Sequence, residues 1–288
     1  MFKLERVLCA VDFSKHSAAA LRAAGGLAKV FNAEVVLLHA QRLEAPEYFT
    51  VAQINALNAQ MRRSLRAARK YVEDFAAKNL PPGLEHSTVI VEADPVDAIL
   101  RTLKESKADL LAMGTHGRTG LARLRLGSVS ESVLRQATRP LLTVGPRVRP
   151  SASLGTFRRV LCPVNYGELA HRTLEHAAAI AEATGAELIV THVLEETAKP
   201  PETEAARQAL CDWVPGGVRE RCSVREVVRS GHPAEQTLLE VEQSQADLLV
   251  IGAQHRNVLG SLLFGSTTET VIRSAACPVF TVVMKKGK

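Results

Sequence analysis

The sequence predicts an α/β protein made of two tandem copies of one doubly wound domain, each a five-stranded parallel sheet with helices on both faces. Three observations carry that expectation: an internal repeat, alternating strand-like and helix-like segments in each copy, and a Pro/Ser/Gly-rich stretch between the copies.

The repeat is read first because it sets the architecture. RVLCAVD at Arg6–Asp12 returns as RVLCPVN at Arg159–Asn165, and EVVLLHA at Glu34–Ala40 as ELIVTHV at Glu187–Val193, both at an offset of 153. ADLLAMG at Ala108–Gly114 returns as ADLLVIG at Ala246–Gly252, now at an offset of 138. Gly127-Ser128 with Gly265-Ser266, and PLLTV at 140–144 with PVFTV at 278–282, keep that second offset. The first copy therefore carries 15 extra residues between positions 40 and 93. Each copy is long enough to bury its own core. The expected domains are 1–146 and 158–285, with 147–157 as linker.

In the first copy, short apolar runs at Val7–Val11, Val35–His39, Thr88–Val91, Leu110–Met113 and Leu141–Val144 read as strands. Between them, helical spacing from Ser14, over 51–79, from Pro95 and from Ser128 supplies the helices; Pro95 sits where its missing N–H costs nothing. Strands without polar alternation fit a sheet covered on both faces.

Composition excludes several classes. The 288 residues are 46% hydrophobic and 23% charged, with 4% aromatics, a globular balance. The net charge of +6 gathers at Arg62, Arg63, Arg66, Arg69 and Lys70, and at Arg118, Arg123 and Arg125, without the aromatic or groove-reading elements of a nucleic-acid binder. The five cysteines form no C-x-x-C pair: Cys9 and Cys162 read as small buried hydrophobes, and Cys211 and Cys222 with His232 match no zinc spacing. The N-terminus reads as a strand, not a signal peptide, and no apolar run approaches a membrane span, so the expected location is the cytoplasm.

Ligands of open parallel sheets bind beyond the carboxyl ends of the strands at the topological switch point. Asp12 ends the first strand, Gly114-Thr-His-Gly117 the fourth, and Gly127-Ser128-Val129-Ser130 opens a helix. A helix N-terminus offers free amides and partial positive charge to a phosphate, and glycine lets the backbone approach it. Ser128 with Glu131, and Ser266 with Glu269, also spell S-x-x-E capping boxes, which need no ligand. No P-loop lysine and no G-x-G-x-x-G is present, so a phosphate would rest on amides, hydroxyls and the arginines 118, 123 or 125, which read equally as a solvated loop.

The spacing Gly114-x2-Gly117-x9-Gly127-Ser128, with ADLLAMGTHGR before it, GSVSESVLR and RPLLTV after it, and VLCAVDFS at the start, resembles the ATP-binding pattern of the universal stress protein family over nearly the whole chain. The resemblance implies two tandem Rossmann-like (adenine nucleotide alpha hydrolase-like) domains with strand order 3-2-1-4-5. It also implies an adenine nucleotide, ATP or else AMP or ADP with possible magnesium, held by Asp12, Ala40, Gly114, Gly117, Arg118, Gly127, Ser128, Val129 and Ser130. Asp12 would face the nucleoside, the Ala40 backbone the adenine edge, and Gly114 and Gly117 would leave room for ribose and phosphates. The two domains would pair with each other along Leu141–Val144 and Val279–Val283, with a homodimer as a further option. His116 reads as a loop or interface residue, and no catalytic residue is assigned.

The second copy departs from the pattern: Asp12 becomes Asn165 and Gly117 becomes His255, while in the first copy Ala93 stands where the second has Gly231. A non-glycine residue at 117 would crowd the phosphates, and a left-handed backbone there would cost about 1–2 kcal/mol. The expectation is one nucleotide-holding half and one half kept as structural partner. A slow ATPase or nucleotidyl-transfer enzyme and a ligand-free scaffold remain as alternatives.

Overall fold

The computed structural model describes residues 2–41, 68–117, 126–153, 155–194, 199–254, 256–258, 261–263 and 265–284. The first half runs β1 (Arg6–Ala10), α1 (Lys15–Phe31), β2 (Glu34–Gln41), α2 (described over 68–79), β3 (His86–Glu92), α3 (Pro95–Glu105), β4 (Leu110–Gly114), α4 (Ser128–Gln136) and β5 (Leu141–Val144). The second runs β6 (Arg159–Val164), α5 (Glu168–Thr184), β7 (Glu187–Leu194), α6 (Pro200–Trp213), α7 (Gly216–Arg221), β8 (Val224–Ser230), α8 (Pro233–Gln243) and β9 (Leu248–Gln254). A hairpin, β10 (Arg256–Val258) and β11 (Ser261–Leu263), then precedes α9 (Ser266–Ser274) and β12 (Val279–Met284). Arg62, Arg63, Arg66, Arg118, Arg123, Arg125, His255 and most of the helix expected over 51–79 lie outside the described residues.

Ten strands form one sheet in the order β3-β2-β1-β4-β5-β12-β9-β6-β7-β8. Each half is parallel with the order 3-2-1-4-5. The halves meet at β5 and β12, which run antiparallel with Val279 opposite Thr143 and Thr281 opposite Leu141. One core layer lies under α1 and α5 and the other under α3, α4, α8 and α9, and both draw residues from both halves. Cys9 and Cys162 are fully buried in the first layer, and burial pushes each thiol up to about 12.

Local chemistry sets the ends of the helices. Ser14 caps α1 by accepting from the Ser17 amide, and Asn32 closes it in the left-handed region at φ 55°. Asp94 accepts from the Val96 amide at 2.9 Å and Pro95 opens α3, where the sequence placed it. Pro163 has no N–H to give its neighbours, and the β6–β9 register reaches only Leu161, whereas β1–β4 continues to Ala10.

The linker is docked. Gly155, at φ +75°, crosses α1 so closely that a Cβ on Gly26 would lie 1.9 Å from the Gly155 carbonyl oxygen. The Arg149 amide donates to the Ala276 carbonyl at 2.8 Å.

His176 on α5 is packed against Phe2 of the first half, with ring centroids 4.6 Å apart, and its Nδ1–H donates to the Arg172 carbonyl. Burial holds this imidazole below its ordinary value of 6.5, outweighing the hydrogen bond to the Arg172 carbonyl, which raises it. A lowered folded-state pKa means that the unfolded chain takes up protons first. The contribution is therefore complete above pH 6.5 and is lost as pH falls below it. Burial shifts His16 the same way. In denaturation series from neutral pH down to roughly pH 5, His176→Gln should flatten part of the slope; an unchanged slope would rule out His176 as its source.

Candidate functional site

The residues that follow β1 are held from several sides. The Val11 amide donates to the Leu38 carbonyl, and the Val11 carbonyl accepts from His39 Nδ1 at 2.8 Å. Phe13 takes φ 64° and lays its ring against His39, Tyr71 and Phe75. Asp12, two residues past the strand end, accepts the Ser14 amide on Oδ1. Its Oδ2 faces Gly117, where a Cβ would lie 3.0 Å away.

Between β1 and β4, where the chain order reverses, lies a cavity of about 250 Å³, slightly below the roughly 300–1,000 Å³ of small-molecule sites. Ala10, Val11, Leu38, Ile99 and Met113 give it an apolar floor, and Pro95 and Ala40 add to its wall. Asp12, Gly114, His116 and Gly117 form one side, and the first turn of α4, Gly127–Ser130, another. Eight of the nine residues proposed from the sequence thus line one cavity; the ninth, Arg118, lies outside the described residues.

Several expectations about their roles change. Ser128 is not an N-cap: Gly127 holds that place, pinned by its amide donating to the Thr115 carbonyl at 2.8 Å, and no side chain caps α4. Glu131 pairs with Arg135 instead. Gly265 likewise displaces Ser266 at α9, so neither capping box forms. The amides of Ser128, Val129 and Ser130 therefore open a helix whose ladder does not use them. The Ser130 hydroxyl donates to the Gly114 carbonyl at 3.0 Å and so locks α4 to the end of β4.

Gly117 is not among the residues at positive φ, so no left-handed backbone calls for glycine there; a Cβ would press on Asp12 Oδ2 at 3.0 Å. Gly114 serves packing, because a Cβ there would lie 2.8 Å from His16 Cβ at the start of α1. His116 is a loop residue after β4, and a buried one. It is 6% exposed, lines the cavity, and keeps Nδ1 in hydrogen-bond contact with Thr115 Oγ1 at 2.9 Å.

The second half repeats the frame and alters the floor. Asn165 Oδ1 accepts from the Gly167 amide, Tyr166 takes φ 58° against His192, and His192 Nδ1–H donates to the Val164 carbonyl. At the repeat offsets, Thr191 and Thr237 replace Leu38 and Ile99, and Val193 replaces Ala40. Both threonines are buried, and the Thr191 hydroxyl has no hydrogen-bond partner among the described residues. Gly231 takes φ +129°, a backbone that Ala93 does not adopt. Among the described residues no group of His, Cys, Asp and Glu could hold a metal ion, and no helix is long and apolar enough to cross a membrane.

Two doubly wound halves on one sheet, with a cavity at the first half's switch point beside an uncapped helix start, define a tandem Rossmann-like α/β protein. The chain belongs to the universal stress protein family, whose profile matches residues 3–145 and 156–282. A universal stress protein of Mycolicibacterium smegmatis is 28% identical over 294 residues, spanning 96% of each chain. The universal stress protein YxiE of Bacillus subtilis is 31% identical over 151 residues, covering 48% of this chain and 97% of its own length. Among solved structures, a universal stress protein from Archaeoglobus fulgidus superposes with a TM-score of 0.74 at 24% identity, covering 98% of this chain and 99% of its own.

Proposed function

We propose that the first half binds an adenine nucleotide, ATP in preference to AMP or ADP, and that its occupancy regulates what this cytoplasmic chain does during stress. The second half is the structural partner joined through β5 and β12. The observation that carries this reading is the cavity itself: apolar floor, one carboxylate, one uncapped helix start. Leu38, Ile99 and Met113 suit the faces of a purine, and the Ala40 backbone, one residue before the end of β2, lies beside them. Asp12 Oδ2 suits ribose hydroxyls, because a carboxylate accepts two strong hydrogen bonds. The α4 amides and dipole suit phosphates, and three consecutive amides can serve more than one. A magnesium ion would be carried by the phosphates, with Asp12 as the neighbouring carboxylate.

Chromatography of the nucleotide released from denatured protein tests this directly. Wild type should release a single adenine nucleotide per chain. Gly117→His, which drives a side chain into Asp12, should lose at least about tenfold in affinity, roughly 1.4 kcal/mol. Two nucleotides per chain would refute the division of labour between the halves. None, even after soaking with ATP and magnesium, would refute the binding reading and leave a scaffold.

A further inference from the structure

The two halves treat one equivalent groove differently. On the second half the chain's own linker fills it. After β5, Val148 packs among Ala19, Ala20 and Val144, the Arg149 amide donates to the Ala276 carbonyl, and the Arg149 guanidinium donates to the Ala246 carbonyl. Leu238, Val241 and Ala276 belong to the same apolar layer as Val148.

The offset of 138 carries the walls of that slot to Leu100, Leu103 and Thr138 on the first half. There they line an open groove of about 720 Å³, together with Lys104, Arg139 and Arg172. Val283 of β12 closes one end, at the place that Gly145 occupies after β5. By the repeat offsets, Thr138 corresponds to Ala276, whose carbonyl accepts the Arg149 amide, Leu100 and Leu103 to Leu238 and Val241, and Arg172 to Ala19, on which Val148 packs.

Charge sets the chemistry of a segment that fits this groove. The filled slot has Glu242 and takes a linker carrying Arg147 and Arg149; the open groove has Lys104 at the position of Glu242. Lys104, Arg139 and Arg172 are exposed, and no carboxylate among the described residues pairs with them. At the offset of 138 the sequence has Lys285, Lys286 and Gly287 where the linker has Arg147, Val148 and Arg149, so it offers a cation and no apolar residue as the counterpart of Val148. We infer that this groove docks an extended acidic segment of a partner protein, with an apolar side chain flanked by carboxylates.

Fluorescence polarisation on the full chain tests it, titrated to millimolar protein, with two labelled probes. One is the linker heptapeptide Gly-Pro-Arg-Val-Arg-Pro-Ser; the other is the same peptide with both arginines changed to glutamate. The acidic probe should bind, weaken with salt, and lose at least about tenfold in affinity in the double variant Lys104→Glu, Arg139→Glu. Melting temperature and bound nucleotide should stay unchanged in that variant. The inference is overturned if the acidic probe does not bind, if the basic probe binds as well, or if charge reversal leaves binding intact. Binding only after deletion of residues 285–288 would also overturn it, by assigning the groove to the chain's own tail.

Discussion

Glu240→Ala should lower stability by about 3 kcal/mol, the lower part of the range for breaking a buried ion pair. Glu240 sits on α8 with its side chain 3% exposed and accepts from Arg229 Nε of β8 at 2.7 Å; Arg225 Nη1 stands 3.9 Å from its other oxygen. Removing it strands the Arg229 guanidinium, itself only 16% exposed. Residual access to water, and the contact of Arg229 with Gln243, keep the loss at the lower end. The first half shows how the same position is filled without charge, because the counterparts of Arg229 and Glu240 are Val91 and Thr102. The double variant Arg229→Val, Glu240→Thr should therefore recover most of the loss, since an apolar replacement of a buried pair is commonly neutral. Denaturation midpoints of Arg229→Val, Glu240→Thr and the double variant decide it. Additive losses in the double would show that the pair is not coupled.

Gly26→Val should cost a comparable amount, about 1–3 kcal/mol or more. Its Cβ would meet the carbonyl oxygen, carbonyl carbon and Cα of Gly155 at 1.9, 2.5 and 2.7 Å. These are backbone atoms, so no rotamer relieves the contact and the linker must lift from α1. Even Gly26→Ala, which would gain about 1 kcal/mol in an exposed helix, should destabilise here. The matching position on α5 is Ala179, a buried residue, and there Ala179→Gly should cost the helix propensity of about 1 kcal/mol together with the burial of its methyl group. Limited proteolysis around residues 146–156 gives the second readout: cleavage should accelerate in both Gly26 variants. Unchanged protection with unchanged stability would mean that the crossing tolerates a side chain.

The architecture was legible because parallel strands buried on both faces leave continuous apolar runs, and those runs recur at two fixed offsets. The rim of the cavity was legible too, since Asp12, Gly114, Gly117 and Gly127 stand near strand ends and a helix start. Its floor was not. Leu38, Ile99 and Met113 are ordinary core residues in sequence, and only their placement beside an unfilled space makes them part of a site. The S-x-x-E pattern misled by one residue, because the Gly127 amide is tied to Thr115 and the helix starts after it. The glycine pair in α1 reads as a helix penalty until Pro81 and Gly155 are seen pressing on it. The buried Arg229–Glu240 pair was invisible for a related reason: a strand arginine and a helix glutamate read as surface charges.

The docked linker has a consequence that no single residue explains. Two separate identical domains joined back to back would present two equal slots, both filled or both empty. One covalent connection per pair can fill only one. Fusion alone therefore makes the pair unequal, before any substitution distinguishes its halves, and what Asn165, His255 and Thr191 add is divergence laid over an asymmetry that topology had already imposed.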